Sequence, residues 1–189
     1  MKSRAELFLE HLDGIYGVEP EFRMFDSYLD DAPRVTSILY RDIPEPGWVT
    51  GHTFGLSEVL HPEWRHGRPE LSITVRSTDI AWALVAAEVA NRLRGKCPFC
   101  YGDTINFGEP VSPESEMSAF FVFAPLILDR KQYLDVNVGC EQHPIHIAGL
   151  YPIYAEERDV IHAIGLEAFW KHPGFDPVDV NRKRIGLPS

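Results

Sequence analysis

Three cysteines and one histidine are the residues best placed by type and spacing to do chemistry: Cys97-Pro98-Phe99-Cys100 and Cys140-Glu141-Gln142-His143. A C-x-x-C can serve as a redox dithiol, but its first thiol must then sit at a helix N-terminus, where the partial positive charge lowers its pKa. The order here is the reverse. A helix is predicted to end at Gly95, and Tyr101-Gly102-Asp103 reads as a turn into a strand. Taken together, the C-x-x-C and the C-x-x-H offer three thiols and an imidazole at spacings that suit zinc. Such a zinc at Cys97, Cys100, Cys140 and His143 would be structural, because four protein ligands leave no open position for water. About forty residues separate the two halves. The alternative is a pair of loop cysteines at a helix end plus an unrelated thiol.

Other constellations are weaker. His143-Pro144-Ile145-His146 lacks the helix and the glutamate of a metalloprotease motif. None of the eight histidines has a Ser or Cys partner in a recognisable motif, and there is no Gly-rich phosphate loop or nucleophile elbow. Asp26, Asp30 and Asp31 could approach a cation, although a solvated acidic loop has the same pattern. Asn181-Arg182-Lys183-Arg184 reads as a solvated basic face. An enzyme would therefore have to be a small zinc-binding or thiol enzyme built on Cys97, Cys100, Cys140 and His143. The catalytic set is otherwise empty, and no cofactor is required.

The elements that must position these residues follow from periodicity and punctuation. Ser3-Arg4-Ala5-Glu6 is a capping box opening a helix with Leu7 or Phe8, Leu12, Ile15 and Tyr16 on one side, stopped by Gly17. The stretch from Phe22 to Pro33 is expected to be irregular. Val35–Tyr40 and Trp48–Phe54 are strand candidates around a proline-rich turn, and Leu56–Arg68 reads as a turn and loop. Glu70–Arg76 alternates, which predicts a strand with one wet face. The main helix is predicted over Thr78–Arg94, capped by Ser77 or Thr78, with Trp82, Val85, Ala86, Val89 and Leu93 as its apolar stripe. Further strands are expected at Thr104–Phe107, Ala119–Phe123, Tyr133–Val138 and Ile145–Leu150. Pro152 is expected to turn the last of these into an acid-started helix, with Glu156, Arg158 and Asp159 in solvent. Gly165 would stop that helix, and Leu166–Trp170 reads as a second short turn. Tyr154, Ile161, Ile164, Phe169 and Trp170 are expected to face inward, and a last helix is expected from about Asp176 to Ile185. The sum is one α+β domain over residues 1–189, with a mixed, mostly antiparallel sheet flanked by helices.

Composition narrows the function. Hydrophobic residues make up 44% and aromatics 12% of the 189 residues, which suits one sizeable core rather than a disordered chain. A net charge of −10 argues against nucleic acid, which needs a basic face to displace counterions, and favours a basic partner. The longest apolar run, Ala119–Leu128, is half a membrane span and contains Pro125, so no membrane partner is expected. With no secretory signal and three cysteines, the reading is a reduced cytoplasmic protein.

Five short segments, in order, carry a family resemblance: Phe54-Gly55-Leu56-Ser57-Glu58, Pro69-Glu70-Leu71-Ser72-Ile73, Phe99-Cys100-Tyr101-Gly102-Asp103, Met117-Ser118-Ala119-Phe120, and Gly149 to Trp170. On these the chain resembles the Suppressor of Fused (SUFU) family, in particular its bacterial single-domain members, most strongly over about residues 50–170. The resemblance implies a non-enzymatic protein-binding domain. In animal relatives a second domain follows, and a transcription-factor peptide of the Gli type is held between the two. This chain stops soon after the shared region, so that clamp is not expected. An acid after the Phe-Cys-x-Gly stretch contacts the peptide in those relatives, which carries over only to Asp103; the aromatic they place on the preceding helix is missing near Asn91. Bacterial members are associated with polymorphic toxin systems as immunity proteins. The expectation is therefore a protein partner, such as a basic toxin domain, bound and occluded without turnover.

Overall fold

The computed structural model describes residues 2–140 and 142–187. Helix α1 (Arg4–Tyr16) opens on the expected capping box, with the Ser3 hydroxyl and the Glu6 carboxylate each accepting the other's backbone N–H. It closes at Gly17, whose φ of 63° is the left-handed conformation that glycine adopts without strain. Strands β1 (Glu21–Phe25), β2 (Val35–Arg41), β3 (Val49–Phe54) and β4 (Arg68–Val75) follow, then helix α2 (Ala81–Leu93). Strands β5 (Thr104–Asn106) and β6 (Ala119–Phe123), the short helix α3 (Arg130–Tyr133), strand β7 (Ile145–Ile153) and helices α4 (Glu157–Ile164) and α5 (Leu166–Trp170) complete the order. The seven strands form one sheet in the order β1-β2-β3-β4-β7-β6-β5. Only β4 and β7 are parallel neighbours. This is the mixed, mostly antiparallel α+β architecture expected.

Alternation of side chains across the pleat divides the core. On one face Leu39, Leu71, Ile73, Ala148 and Leu150 meet Trp82, Val85, Ala86 and Val89 of α2. The helix comes so close that a Cβ on Gly51 would lie 2.7 Å from the Ala83 carbonyl oxygen, which explains the small residues on both surfaces. On the other face Phe8 and Leu12 of α1 cover Ile38, Tyr40, Ile145 and Ile147. Farther along that face, Phe121, Tyr151 and Ile153 are covered by Val160, Ile161 and Phe169. Ile164 and Trp170 pack there half-buried, and Tyr154 is buried with the α2 cluster.

Several expectations are corrected. The stretch from Phe22, read as irregular, begins inside β1, an edge strand with no buried residue and hence no alternation to read. Strand β4 has no wet face: Glu70, Ser72 and Thr74 are buried as well as Leu71, Ile73 and Val75. Helix α2 starts at Ala81 with no side-chain cap from Ser77 or Thr78. Instead the Ser77 hydroxyl accepts the Asp79 N–H and the Asp79 carboxylate accepts the Ala81 N–H. Tyr133–Val138 is not a strand; α3 ends there, and one bridge joins Val136 to Ile145.

Pro152 does not end β7. Pairing with β4 stops at Gly149, so at Pro152 the strand has only β6 beside it, and the missing N–H costs no ladder bond on the open side. Residues 176–185 form no helix but a tail whose Val178, Val180 and Ile185 are buried. Its Arg182 is not solvated: the guanidinium makes two bonds of 2.6 Å to Glu157, both side chains being almost fully buried. That pair and the Ile185 N–H, donated to Glu157, fasten the tail to the start of α4.

Between α1 and the sheet, His52 is fully buried, and its Nε2 lies 2.7 Å from the Tyr16 hydroxyl. Burial pushes the imidazole down to about 3, with a smaller contribution from His11. The folded state therefore holds His52 neutral, while the unfolded chain binds a proton below its ordinary value of 6.5. Stability from this site is complete above pH 6.5 and is lost as pH falls towards 3. We expect about 2 kcal/mol to be lost between pH 7 and 5 relative to His52→Gln. Urea unfolding of both proteins at the two pH values measures it, and parallel stability profiles would contradict it.

Candidate functional site

The Cys97–Asp103 segment is shaped by the end of α2. The Lys96 and Cys97 amides both donate to the Leu93 carbonyl, so the thiols follow the negative end of a helix. Asp103 then organises the turn: its carboxylate accepts the Cys100 N–H at 2.8 Å, and the Cys97 thiol lies 3.8 Å from it. Its backbone carbonyl accepts from Val122 of β6. Burial, aided by the Asp103 charge, pushes the Cys97 thiol up to about 11. Burial and the charges of Asp103 and Glu63 push Cys100 up as well. Both shifts oppose thiolate formation, the reverse of what nucleophilic or redox cysteine chemistry needs.

The proposed zinc set is not brought together. Cys97 packs against the core on the α2 face of the sheet. The Cys140–His143 turn lies by α1 on the other face, where Arg4 donates to the His143 carbonyl and Leu7 abuts Gly139. Glu141 lies outside the described residues. Among the described residues no three His, Cys, Asp or Glu side chains converge on a possible metal position. These cysteines and this histidine do not fit a shared metal ion.

Beside the Cys100 turn lies an open cleft of about 590 Å³. It is lined by Trp64, Tyr101 and Tyr133, with Arg65, Arg130 and His146 among its polar groups. The Trp64 indole donates to the Pro98 carbonyl at 2.8 Å, and His146 lies 3.0 Å from Asp135. These residues come from two separated loops, α3 and β7, so only the folded chain assembles the cleft.

A second surface runs across α2. Asn91, where the resemblance lacked an aromatic, is buried, donates to the Asp26 carbonyl at 2.8 Å and accepts the Tyr28 N–H at 3.3 Å. These bonds seat an exposed aromatic, Tyr28, on the helix from a distant loop. Its hydroxyl donates to Glu88, which also accepts from Arg92 at 2.6 Å; Arg92 reaches Glu109 at 3.5 Å. The acidic loop at Asp26–Asp31 and the one beginning at Glu109, unrelated in sequence, thus meet in one strip centred on Tyr28, acidic on balance, in which Arg34 pairs with Asp26 and Arg92 with Glu88 and Glu109. Farther along the second loop, Glu114 is committed to the Trp82 indole and the Ser77 hydroxyl. The strip ends beside β5, whose only neighbour in the sheet is β6.

The architecture is a seven-stranded mixed sheet with α2 across one face and α1, α4 and α5 on the other. The chain belongs to the Suppressor of fused protein (SUFU) family, whose model matches residues 31–183. The fold is similar to that of a SUFU homologue from Neisseria gonorrhoeae FA 1090 (TM-score 0.67, 17% identity, 97% of each chain covered). It is also similar to a chain of the Sufu–Fu complex (TM-score 0.62, 16% identity, 96% of this chain and 91% of that one). Drosophila Suppressor of Fused matches at TM-score 0.65 and 13% identity over 96% of this chain and 50% of its own. No curated protein matches the sequence at a significant level. Among the described residues no helix is long and apolar enough to cross a membrane.

The raised thiols give a direct check on the rival enzyme reading. At pH 7.5 Cys100 is expected to react with a disulfide reagent more slowly than free cysteine, since only the thiolate attacks. Asp103→Asn should speed it a few-fold by removing a negative charge while keeping an acceptor for the Cys100 amide. A wild-type rate above that of free cysteine would restore the thiol chemistry.

Proposed function

We propose that this chain is a non-catalytic protein-binding domain that neutralises a basic partner by occlusion, as the immunity protein of a polymorphic toxin pair acting in the cytoplasm. The observation that carries this reading is the strip of Asp26, Asp30, Asp31, Glu88 and Glu109 around the exposed Tyr28. A tyrosine offers a large contact area with a polar tip, and aromatics of this kind are frequent interface anchors. Acids around it steer a basic protein into encounter and reject acidic ones. Family membership supports a binding rather than a catalytic role, and the Sufu–Fu complex is a protein–protein assembly within that family. The whole chain, 1–189, would act as one domain. Asp103 serves the partner side by holding the turn at the head of β5 in shape. Neither metal nor cofactor enters the action.

The test is co-expression with the protein encoded by the adjacent gene. That protein should co-purify with the wild type and lose its toxicity. The triple variant Asp30→Lys, Asp31→Lys, Glu109→Lys should bind at least about tenfold more weakly, and raising salt should weaken the wild type but hardly affect the variant. The idea fails if the neighbour does not bind, or if the triple variant binds as the wild type does.

A further inference from the structure

The open edge of β1 is the longer of the two edges of this sheet, regular and apolar on its α1 face. Five consecutive residues pair with β2 without a bulge, Glu21 with Leu39 through Phe25 with Val35, and no strand covers the other side. Edges of soluble proteins are usually blunted by proline, bulges or brevity. Strand β5, at the far edge, has only three residues. Within β1 there is no proline or glycine, and Phe22 and Met24 are 45% and 68% exposed, with Val18 nearby at 47%. Phe22 and Met24 lie on the α1 face, since Phe22 pairs with Ile38 of the α1-covered core. Beside them is a hollow lined by Leu9, Val18, Pro20 and Phe22, with Asp13 and Glu19 among its walls. The other face of the same strand carries two opposite charges two residues apart, Glu21 and Arg23, with Arg41 also bonded to Glu21 at 2.6 Å.

We propose that β1 pairs antiparallel with β1 of a second copy of this chain, about a two-fold axis at Phe22. An antiparallel pair keeps odd residues opposite odd ones when the axis is normal to the sheet, so the register is fixed by which residue lies on the axis. With Phe22 there, the two phenylalanines meet, and Met24 crosses Pro20 of the partner subunit. Glu21 then faces the partner subunit's Arg23 on the other side of the sheet, and the symmetry makes this ion pair twice. An axis at Arg23 would set like charges opposite each other. The edge is thus self-complementary in charge and in apolar surface, which is what singles out a second copy among strands that could add here. The result is a fourteen-stranded sheet built from two seven-stranded ones.

Charge swaps test both the contact and its register. In sedimentation equilibrium the wild type is expected at twice the mass of one chain. Arg23→Glu and Glu21→Arg, each alone, place like charges opposite each other and should weaken self-association at least about tenfold. Mixed one to one they should associate as well as the wild type, because every facing pair is again opposite in sign. Met24→Lys, which leaves the charges intact, should also weaken association and guards against misfolding of a charge variant. A monomeric wild type at 100 μM would overturn the proposal. So would single variants that associate like the wild type, or folded variants whose mixture stays monomeric.

Discussion

The Glu70 carboxylate is the interaction on which the rest of this structure depends. It is fully buried in β4 and accepts the Thr53 and Ser57 hydroxyls at 2.6 and 2.7 Å and the Gly55, Leu56 and Ser57 amides. Burial pushes this carboxyl up, and the bonds from Thr53, Ser57 and Gly55 pull against it. A buried donor left without a partner costs about 1–3 kcal/mol, so five converging on one acceptor lock the exit of β3 against β4. Gly55 permits this at a φ of 120°, where a Cβ would lie 2.5 Å from the Arg34 carbonyl oxygen. Nearby, the buried guanidinium of Arg94 donates to the Gly55 carbonyl and the Ser27 hydroxyl, tying in the loop that leads to Tyr28.

The same device recurs. Asp103 closes the Cys100 turn, and Glu157 accepts the Tyr154 N–H at 3.0 Å, the Ile185 N–H and the Arg182 fork. Glu70, Asp103 and Glu157 all fall inside the segments that carry the family resemblance. Those segments therefore mark where acids satisfy loop backbone that would otherwise be buried without partners. They identify the fold, and the acids of the loops at Asp26–Asp31 and Glu109, which could meet a partner, lie outside all five of them.

How much was legible in the sequence follows from the range of the interactions. Helix α1, strand β6 and helix α5 stand where local signals put them, because caps, glycine stops and apolar runs act over a few residues. Strand β1 was invisible because an exposed edge leaves no burial period, and β4 was misjudged because its polar residues are buried and satisfied by distant ones. The tail from Asp176 mimicked a helix in composition, yet Arg182 is held by Glu157, 25 residues away. At the site, the acids of the Asp26–Asp31 loop are legible in the sequence, but only Asn91 and Arg92 of α2 show that this loop and the one at Glu109 form one surface. The cysteine set looked plausible because spacing ignores which face of the sheet each half occupies.

The division between acids that hold the fold and acids that face a partner can be tested in one measurement. Hydrogen exchange is compared for the free protein and its complex with the adjacent gene's product. Slowed exchange is expected at residues 26–31, in α2 around Glu88–Arg92 and at 105–109, with Gly149–Trp170 unchanged. Protection confined to Gly149–Trp170, with none on the strip, would contradict it.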